Sequence, residues 1–544
     1  MTERQAPDRG ELSREYRARG WWREETLADD IARYAAQRPD DAAFITENDR
    51  ITWRQYDDAA DQLAGVLVAA GFQRGERVAV QLPDTAAVHI AFVGLEKAGL
   101  VAVGIGARAG EREVRYLLAR TGASGLITHA EHRGRVVADD FESLRSDAPK
   151  LRHHVVMAEK LTDPGITVDG ALVAPAPIAQ WRDRKLGPDE LWLVNSTSGT
   201  TGLPKCVMHH QNRWYYFHRI AEDVGGLRSD DIVLGAVPAP FGFGQWTSHF
   251  TPTLLGAPAV VMERFNASGA LALIERERVT VLCAVSTQFI LMLNAPDIDQ
   301  YDLSSLRVMF TGGEMIPYER ARDFERRTGA TVLNFYGSNE SGFATATTIR
   351  DPTEKRLRTA GRVQPGTELR LYDDDGVDVT ASGRGQPGSR GPAISFGYLD
   401  DPVANAELFT PDGFVIHADE VTLDGEGYLT VVGRKSDIII RGGKNISAPY
   451  VEDEVGAHPS VALAAAVASP DPVFGERVCV YVELTSGSRL ELEELVAFLR
   501  SRGVSSEYLP ERLVVMEELP RSSGGKLAKG SLREDASARF GAGR

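Results

Sequence analysis

Cysteine is scarce in this 544-residue chain: Cys206, Cys283 and Cys479 are far apart and odd in number. They fit neither a disulfide framework nor metal-ligand spacing, and the expected setting is a reducing cytoplasm. Long apolar runs are missing as well, which argues against a transmembrane helix. Residues 1–20 are rich in Arg, Glu and Asp and lack an apolar core, so no secretory leader is expected. Basic charge is in deficit, with 61 Lys and Arg against 77 Asp and Glu and a net charge of −16. That balance disfavours nucleic-acid backbones and anionic membranes, so any anion site has to be a local cluster. No internal repeat or low-complexity tail is visible.

What is present is ordinary for a soluble globular protein: 43% hydrophobic and 25% charged residues. The length exceeds one hydrophobic core and predicts at least two domains. Strand–helix alternation runs through Arg77–Gln81, Ala86–Ala98, Leu100–Gly104, Gly125–Thr128, Ala259–Met262 and Val279–Val285. It predicts an α/β fold of parallel or mixed sheets with covering helices. Ala59–Ala70 reads as a helix. From about residue 360 Gly, Asp and Pro become dense and strands short, as in a β-rich subdomain over 360–436. Beyond it, Ala462–Ala468, Val478–Leu484 and Leu492–Arg502 read as a small α+β unit.

One segment concentrates chemistry. After the apolar run Leu191–Val194 come Ser196, Thr197, Ser198, Gly199, Thr200, Thr201 and Gly202, then Leu203-Pro204-Lys205. Small residues let backbone N–H groups approach an anion, hydroxyls add donors, and Lys205 adds charge. This is a polyphosphate grip, although not the Walker A pattern. Downstream, the strand Leu306–Phe310 leads to Thr311-Gly312-Gly313-Glu314. Asn334-Phe335-Tyr336-Gly337-Ser338-Asn339-Glu340 then offers a stacking ring and a hard-cation carboxylate. Asp419 and Gly433-Arg434-Lys435-Ser436-Asp437 suit ribose hydroxyls, and Ser523-Gly524-Gly525-Lys526 puts a lysine on a glycine turn. His209 and His210, read as helical neighbours, point about 100° apart and cannot readily share one metal ion.

In this order and spacing, along nearly the whole chain, the motifs resemble the adenylate-forming superfamily: acyl-CoA synthetases, carrier-protein-loading adenylation domains and luciferases. The resemblance implies a large N-terminal domain over 1–436 and a small mobile α+β domain over 437–544, hinged at Asp437. It implies ATP, Mg²⁺ and CoA. Ser196–Lys205 would hold the phosphates, with Thr197 among the catalytic groups. Gly313, Glu314 and Tyr336 would line the adenine site, and Asn334, Gly337 and Ser338 would also belong to the ATP site. Glu340 would bind Mg²⁺, Asp419 and Arg434 the ribose, and Lys526 would bridge the substrate carboxylate and the α-phosphate. Gly442, Gly443 and Lys444 would receive the pantetheine arm after domain rotation.

Departures from the usual pattern are Cys206 after the loop lysine, His417-Ala418 before Asp419, and Phe241 where a His is common. Residues from Tyr16-Arg17 to Thr26-Leu27 resemble aryl-acid ligases. Those enzymes read an ortho hydroxyl with an Asn where this chain has Gly242. Phe241, Phe243 and Phe343 are expected to wall the acyl site, with Gly242, Gly312 and Gly337 leaving room for a ring. An apolar wall that strands a substrate hydroxyl loses ~1–3 kcal/mol. The expected substrate is therefore a compact apolar acid: benzoate-like, alicyclic such as cyclohexanecarboxylate, or medium-chain. The leading expectation is an acyl-CoA ligase, as monomer or homodimer. A carrier-protein loader and an inactive nucleotide-binding regulator are the alternatives. With 18 residues after Lys526, no fused carrier domain is expected.

Overall fold

The computed structural model describes residues 9–160, 165–196, 204–313, 316–434, 437–441, 444–522 and 526–541. Two large sheets dominate it. One has the order Arg362–Val363, Gly342–Ala346, Thr331–Ser338, Val308–Gly312, Val281–Cys283, Val233–Gly235, Ala259–Val261, Ala42–Ile45 and Arg50–Thr52. Its interior strands are parallel and its edges antiparallel. The second carries Gly125–Thr128, Arg77–Val80, Val101–Gly104 and Leu193–Ser196 in parallel, closed on one side by Cys206–His209 running antiparallel.

The helix Ala86–Ala98 is buried along its whole length. Thr85 caps its start and Gly99, at φ +76°, ends it. It packs with Trp53–Ala69 in an apolar core that touches strands of both sheets. An antiparallel β unit (Glu368–Tyr372, Arg384–Arg390, Val415–Ile416, Asp419–Leu423 and Leu429–Arg434) follows. The last sheet comprises Lys444–Ser447, Ile438–Arg441, Gly475–Leu484, Val461–Asp471 and Arg512–Met516, flanked by Ala448–Gly456, Leu492–Ser501 and Lys529–Phe540. An apolar cluster joining Phe289 and Phe324 to Leu463 and Tyr481 ties this unit to the large sheet. Among the described residues no helix is long and apolar enough to cross a membrane.

Three expectations need correcting. His209 ends a strand and His210 is the N-cap of Gln211–Gly225, so the two are not helical neighbours. Strand pairing governs there because Leu193 and His209 are in register across the hairpin. Gly312 and Gly337 do not leave space for a ring. A Cβ at Gly312 would meet Phe335 O at 2.5 Å, and one at Gly337 would meet Gly342 O at 1.7 Å. Both are glycine because neighbouring backbone comes too close.

Candidate active site

Ser196, Gly312 and Ser338 each end a strand, and a hydrogen bond from Asn339 to Asn195 joins the turn after the last to the first. Ser196 ends one strand opposite Cys206. Thr197, Ser198, Gly199, Thr200, Thr201 and Gly202 lie outside the described residues, as do Glu314, Gly442 and Gly443. Lys205 places Nζ 4.7 Å above the Tyr398 ring. The Tyr398 hydroxyl donates to Glu340 Oε1 at 2.9 Å. Glu340 sits in a turn built by Ser338, whose Oγ accepts from the main-chain N–H groups of Glu340 and Ser341 at 3.2 and 3.0 Å. Oε2 of Glu340 has no hydrogen bond among the described residues, which leaves a carboxylate oxygen for a hard cation. Magnesium is commonly held by one or two carboxylates plus substrate phosphates, so this single acid fits. No cluster of three His, Cys, Asp or Glu residues able to hold a metal occurs among the described residues.

Tyr336 and Asp419 meet directly. The Tyr336 hydroxyl donates to Asp419 Oδ2 at 2.7 Å, and Asp419 is buried. Arg434 is in register with Asp419 across an antiparallel hairpin. His417, one of the departures noted above, stacks on Tyr336 with centroids 5.2 Å apart at 25°. Asn334 donates Nδ2 to Thr359 O at 2.9 Å, while its buried Oδ1 has no partner among the described residues.

The predicted aromatic wall is part of a larger cluster. Phe243 lies parallel to Trp246, with centroids 5.6 Å apart, and edge-on to Phe335 at 5.1 Å. Phe343 stacks on Phe335 at 5.2 Å. Phe241 opens the turn that carries Gly242, its carbonyl accepting from Gln245 N at 2.8 Å. The chain then winds through a π-helical segment, Gln245–Phe250, a geometry often found at functional sites. Trp246, Phe310, Cys283 and Thr251 line a narrow apolar crevice too tight to admit a water molecule. A Cβ on Gly242 would meet Asn339 Oδ1 at 3.0 Å. That amide already bonds Asn195.

Lys526 arrives from the last unit. Its Nζ donates to the main-chain oxygen of Gly313 at 2.9 Å. Gly313 has φ +79°, and a Cβ there would lie 2.5 Å from that amine. Asp437 is paired with Arg533, and Lys444 opens the strand across the hairpin from Arg441. Sequence reasoning missed Tyr398, Trp246, Asn339 and Asn195. Trp246 lies three positions beyond Phe243 and was within reach of the same argument. Nothing local marks Tyr398, which comes from 58 residues beyond Glu340. All three cysteines are buried. Burial pushes the Cys206 thiol up to about 11 and Cys479 to about 12, and raises Cys283 further.

Residues 31–399 match the AMP-binding enzyme family, and residues 450–526 its C-terminal domain. The chain is 32% identical to the medium-chain fatty-acid–CoA ligase of Escherichia coli (strain K12), covering 96% of this chain and 92% of that protein. It is 30% identical to the 2,3-dihydroxybenzoate-AMP ligase of Bacillus subtilis (strain 168), covering 98% of both. In fold it resembles the anthranilate CoA ligase AuaEII in complex with anthranoyl-AMP, at TM-score 0.83 and 24% identity over 95% of this chain and 98% of that one. Motif order, the two-unit architecture and these matches agree: the chain belongs to the AMP-binding enzyme family, within the adenylate-forming superfamily, and is an AMP-forming ligase.

Proposed function

We propose that this chain adenylates a compact, predominantly apolar carboxylic acid with ATP and passes the acyl group to the thiol of CoA. Residues 1–436 would hold ATP and the acid, and residues 437–544 would bring Lys526 to them, pivoting at Asp437. The carrying observation is the Lys526 amine seated against Gly313, more than 200 residues away in sequence. A carboxylate attacking a polyanion needs alignment and neutralised charge more than it needs a base. Lys526 supplies a cation between the two reactants. Bound at Glu340, Mg²⁺ would neutralise charge on the phosphates.

The other roles follow from position. Ser196–Lys205 would wrap the phosphates. Tyr336 would stack the adenine, and the unpartnered Asn334 Oδ1 suits its amino group. Asp419 and Arg434 would take the ribose. Rotation about Asp437 would then exchange Lys526 for Gly442-Gly443-Lys444, whose glycines admit a pantetheine arm.

Phe241, Phe243, Trp246, Phe335 and Phe343 favour a ring or short chain. This aromatic wall favours benzoate-like, alicyclic or medium-chain acids over hydroxylated aryl acids, and the polar atom nearest a Cβ on Gly242, Asn339 Oδ1, accepts from Asn195 Nδ2 at 3.4 Å. Acid-dependent ATP–pyrophosphate exchange over a few dozen carboxylic acids, followed by CoA-dependent AMP release, tests both halves. Preference for hydroxylated aryl or amino acids overturns the substrate class. AMP release with a phosphopantetheinylated carrier protein but not with CoA overturns the acceptor.

A further inference from the structure

His209 is left without a role once a shared metal ion is excluded, and Arg213 has none either. Both are fully buried, and their bonds form one continuous path. Arg213 Nη1 can only donate. It reaches His209 Nδ1 and, at 3.0 Å, the main-chain oxygen of Asn339. His209 Nδ1 is therefore an acceptor and the ring proton sits on Nε2, which donates to Asn195 Oδ1 at 2.7 Å. The same oxygen accepts from Asn339 Nδ2 at 2.7 Å. That turns Asn195 Nδ2 toward Pro240 O, 3.1 Å away. Each orientation in the chain follows from the one guanidinium.

Three loops meet on this path. Asn195 immediately precedes Ser196 and the hydroxyl-rich segment. Pro240 opens the acyl turn. Asn339 immediately precedes Glu340. The guanidinium lies 4.9 Å from the Trp214 ring centroid, with Nε and Nη2 lacking hydrogen bonds and no ion pair among the described residues. A buried cation held this way is costly to retain, and burial draws its pKa down to about 9, with the Glu340 charge opposing the fall. The expense is understandable if the charge orders something outside the core.

We propose that Arg213 is a positioning residue for Glu340: it clamps the Asn339–Glu340 peptide to the strand that leads into the phosphate segment. The Glu340 carboxylate is thereby held at a fixed place relative to both the nucleotide and the acyl turn. This rests on the reading of Glu340 as the magnesium-binding acid.

The test uses the full chain with Arg213→Met, Arg213→Lys, Asn195→Ala and Glu340→Gln. The readouts are the Mg²⁺ half-saturation of acid-dependent exchange, the Mg²⁺-dependent part of the Tm rise given by ATP, and KM for the acid. Loss of a partner that orients a metal ligand typically weakens the metal by 10–100-fold. Arg213→Met is expected to raise Mg²⁺ half-saturation about 10-fold or more and to abolish the Mg²⁺-dependent Tm rise, with acid KM within about twofold. Arg213→Lys is expected to recover part of the loss, since it keeps charge without the planar fork. Asn195→Ala is expected to shift Mg²⁺ dependence in the same direction by less. Unchanged Mg²⁺ dependence in Arg213→Met, with only Tm lowered, overturns the proposal and leaves Arg213 a structural group. Should Arg213→Met fail to fold, the same criterion applies to Arg213→Lys and Asn195→Ala. Wild-type Mg²⁺ dependence in Glu340→Gln overturns the underlying reading of Glu340 itself.

Discussion

Lys526 and Gly313 are joined by a 2.9 Å hydrogen bond from the side-chain amine to the main-chain oxygen. Lys526 of the C-terminal unit thus reaches the end of the strand Val308–Gly312. Lys526→Ala is expected to lower acid-dependent pyrophosphate exchange by about 10²–10³, the cost of losing one preorganised charge-stabilising donor. Thioester formation from a supplied acyl-adenylate is expected to stay within a few-fold of wild type. Equal loss of both half-reactions would show that one arrangement serves both steps.

Gly313→Ala addresses the other end of the same contact. Its φ of +79° is unfavourable for a residue with a Cβ, and that Cβ would sit 2.5 Å from Nζ. Left-handed backbone costs roughly 1–2 kcal/mol for an L-residue. Exchange activity is expected to fall nearly as far as in Lys526→Ala, with a lower Tm as well. Wild-type exchange rates would mean that the observed seat of Lys526 is not the working one.

Phe243 is half-buried, so truncating it should be tolerated better than truncating Phe343, which is 1% exposed. Phe243→Ala removes one plane of the aromatic wall and is expected to shift kcat/KM toward bulkier rings or longer chains. One methylene is worth ~1–3 kcal/mol in such a pocket, so tenfold or greater changes in relative kcat/KM are expected. An unchanged ranking across the acid panel would remove Phe243 from the acyl site.

Asp453 accepts from Tyr318 N at 3.0 Å, linking the C-terminal unit to the large sheet. Burial, followed by the neighbouring Glu454 charge, pushes its carboxyl up to about 6 from 3.8. A raised carboxyl gives stability that is complete below about pH 3.8 and is lost as pH climbs through about 6. Asp453→Asn keeps an acceptor without the charge. It is expected to stabilise the fold above pH 7 by about 1–3 kcal/mol, read as a higher Tm, and to change little near pH 4. Parallel Tm–pH curves for the two proteins would refute this.

Much of the fold was legible because period and punctuation coincided. Ala86–Ala98 ends at Gly99 as read, and Gly125–Thr128 is a strand with those bounds. The strand Leu193–Ser196 is shifted two residues along from the apolar run Leu191–Val194, since its pairing with Cys206–His209 carries it on to Ser196. The same hairpin moved His209 off a helix. Motif residues were visible because their chemistry is local. What joins them was not: Tyr398 to Glu340, His417 over Tyr336, and Asn195 to Asn339 are contacts between distant segments. Gly312 and Gly337 show the limit most clearly. A glycine reads the same whether it spares room for a ligand or for the next strand.

The three sealed cysteines matter for a protein that makes a mixed anhydride and offers it to sulfur. A thiolate, not a thiol, is the attacking species. Cys206 directly follows the loop lysine, yet its sulfur is enclosed and stays protonated well above neutrality. The intermediate therefore meets no thiolate of the protein's own. Its cysteines are shielded from acylation, and a thiolate that attacks has to be carried in by a visiting acceptor.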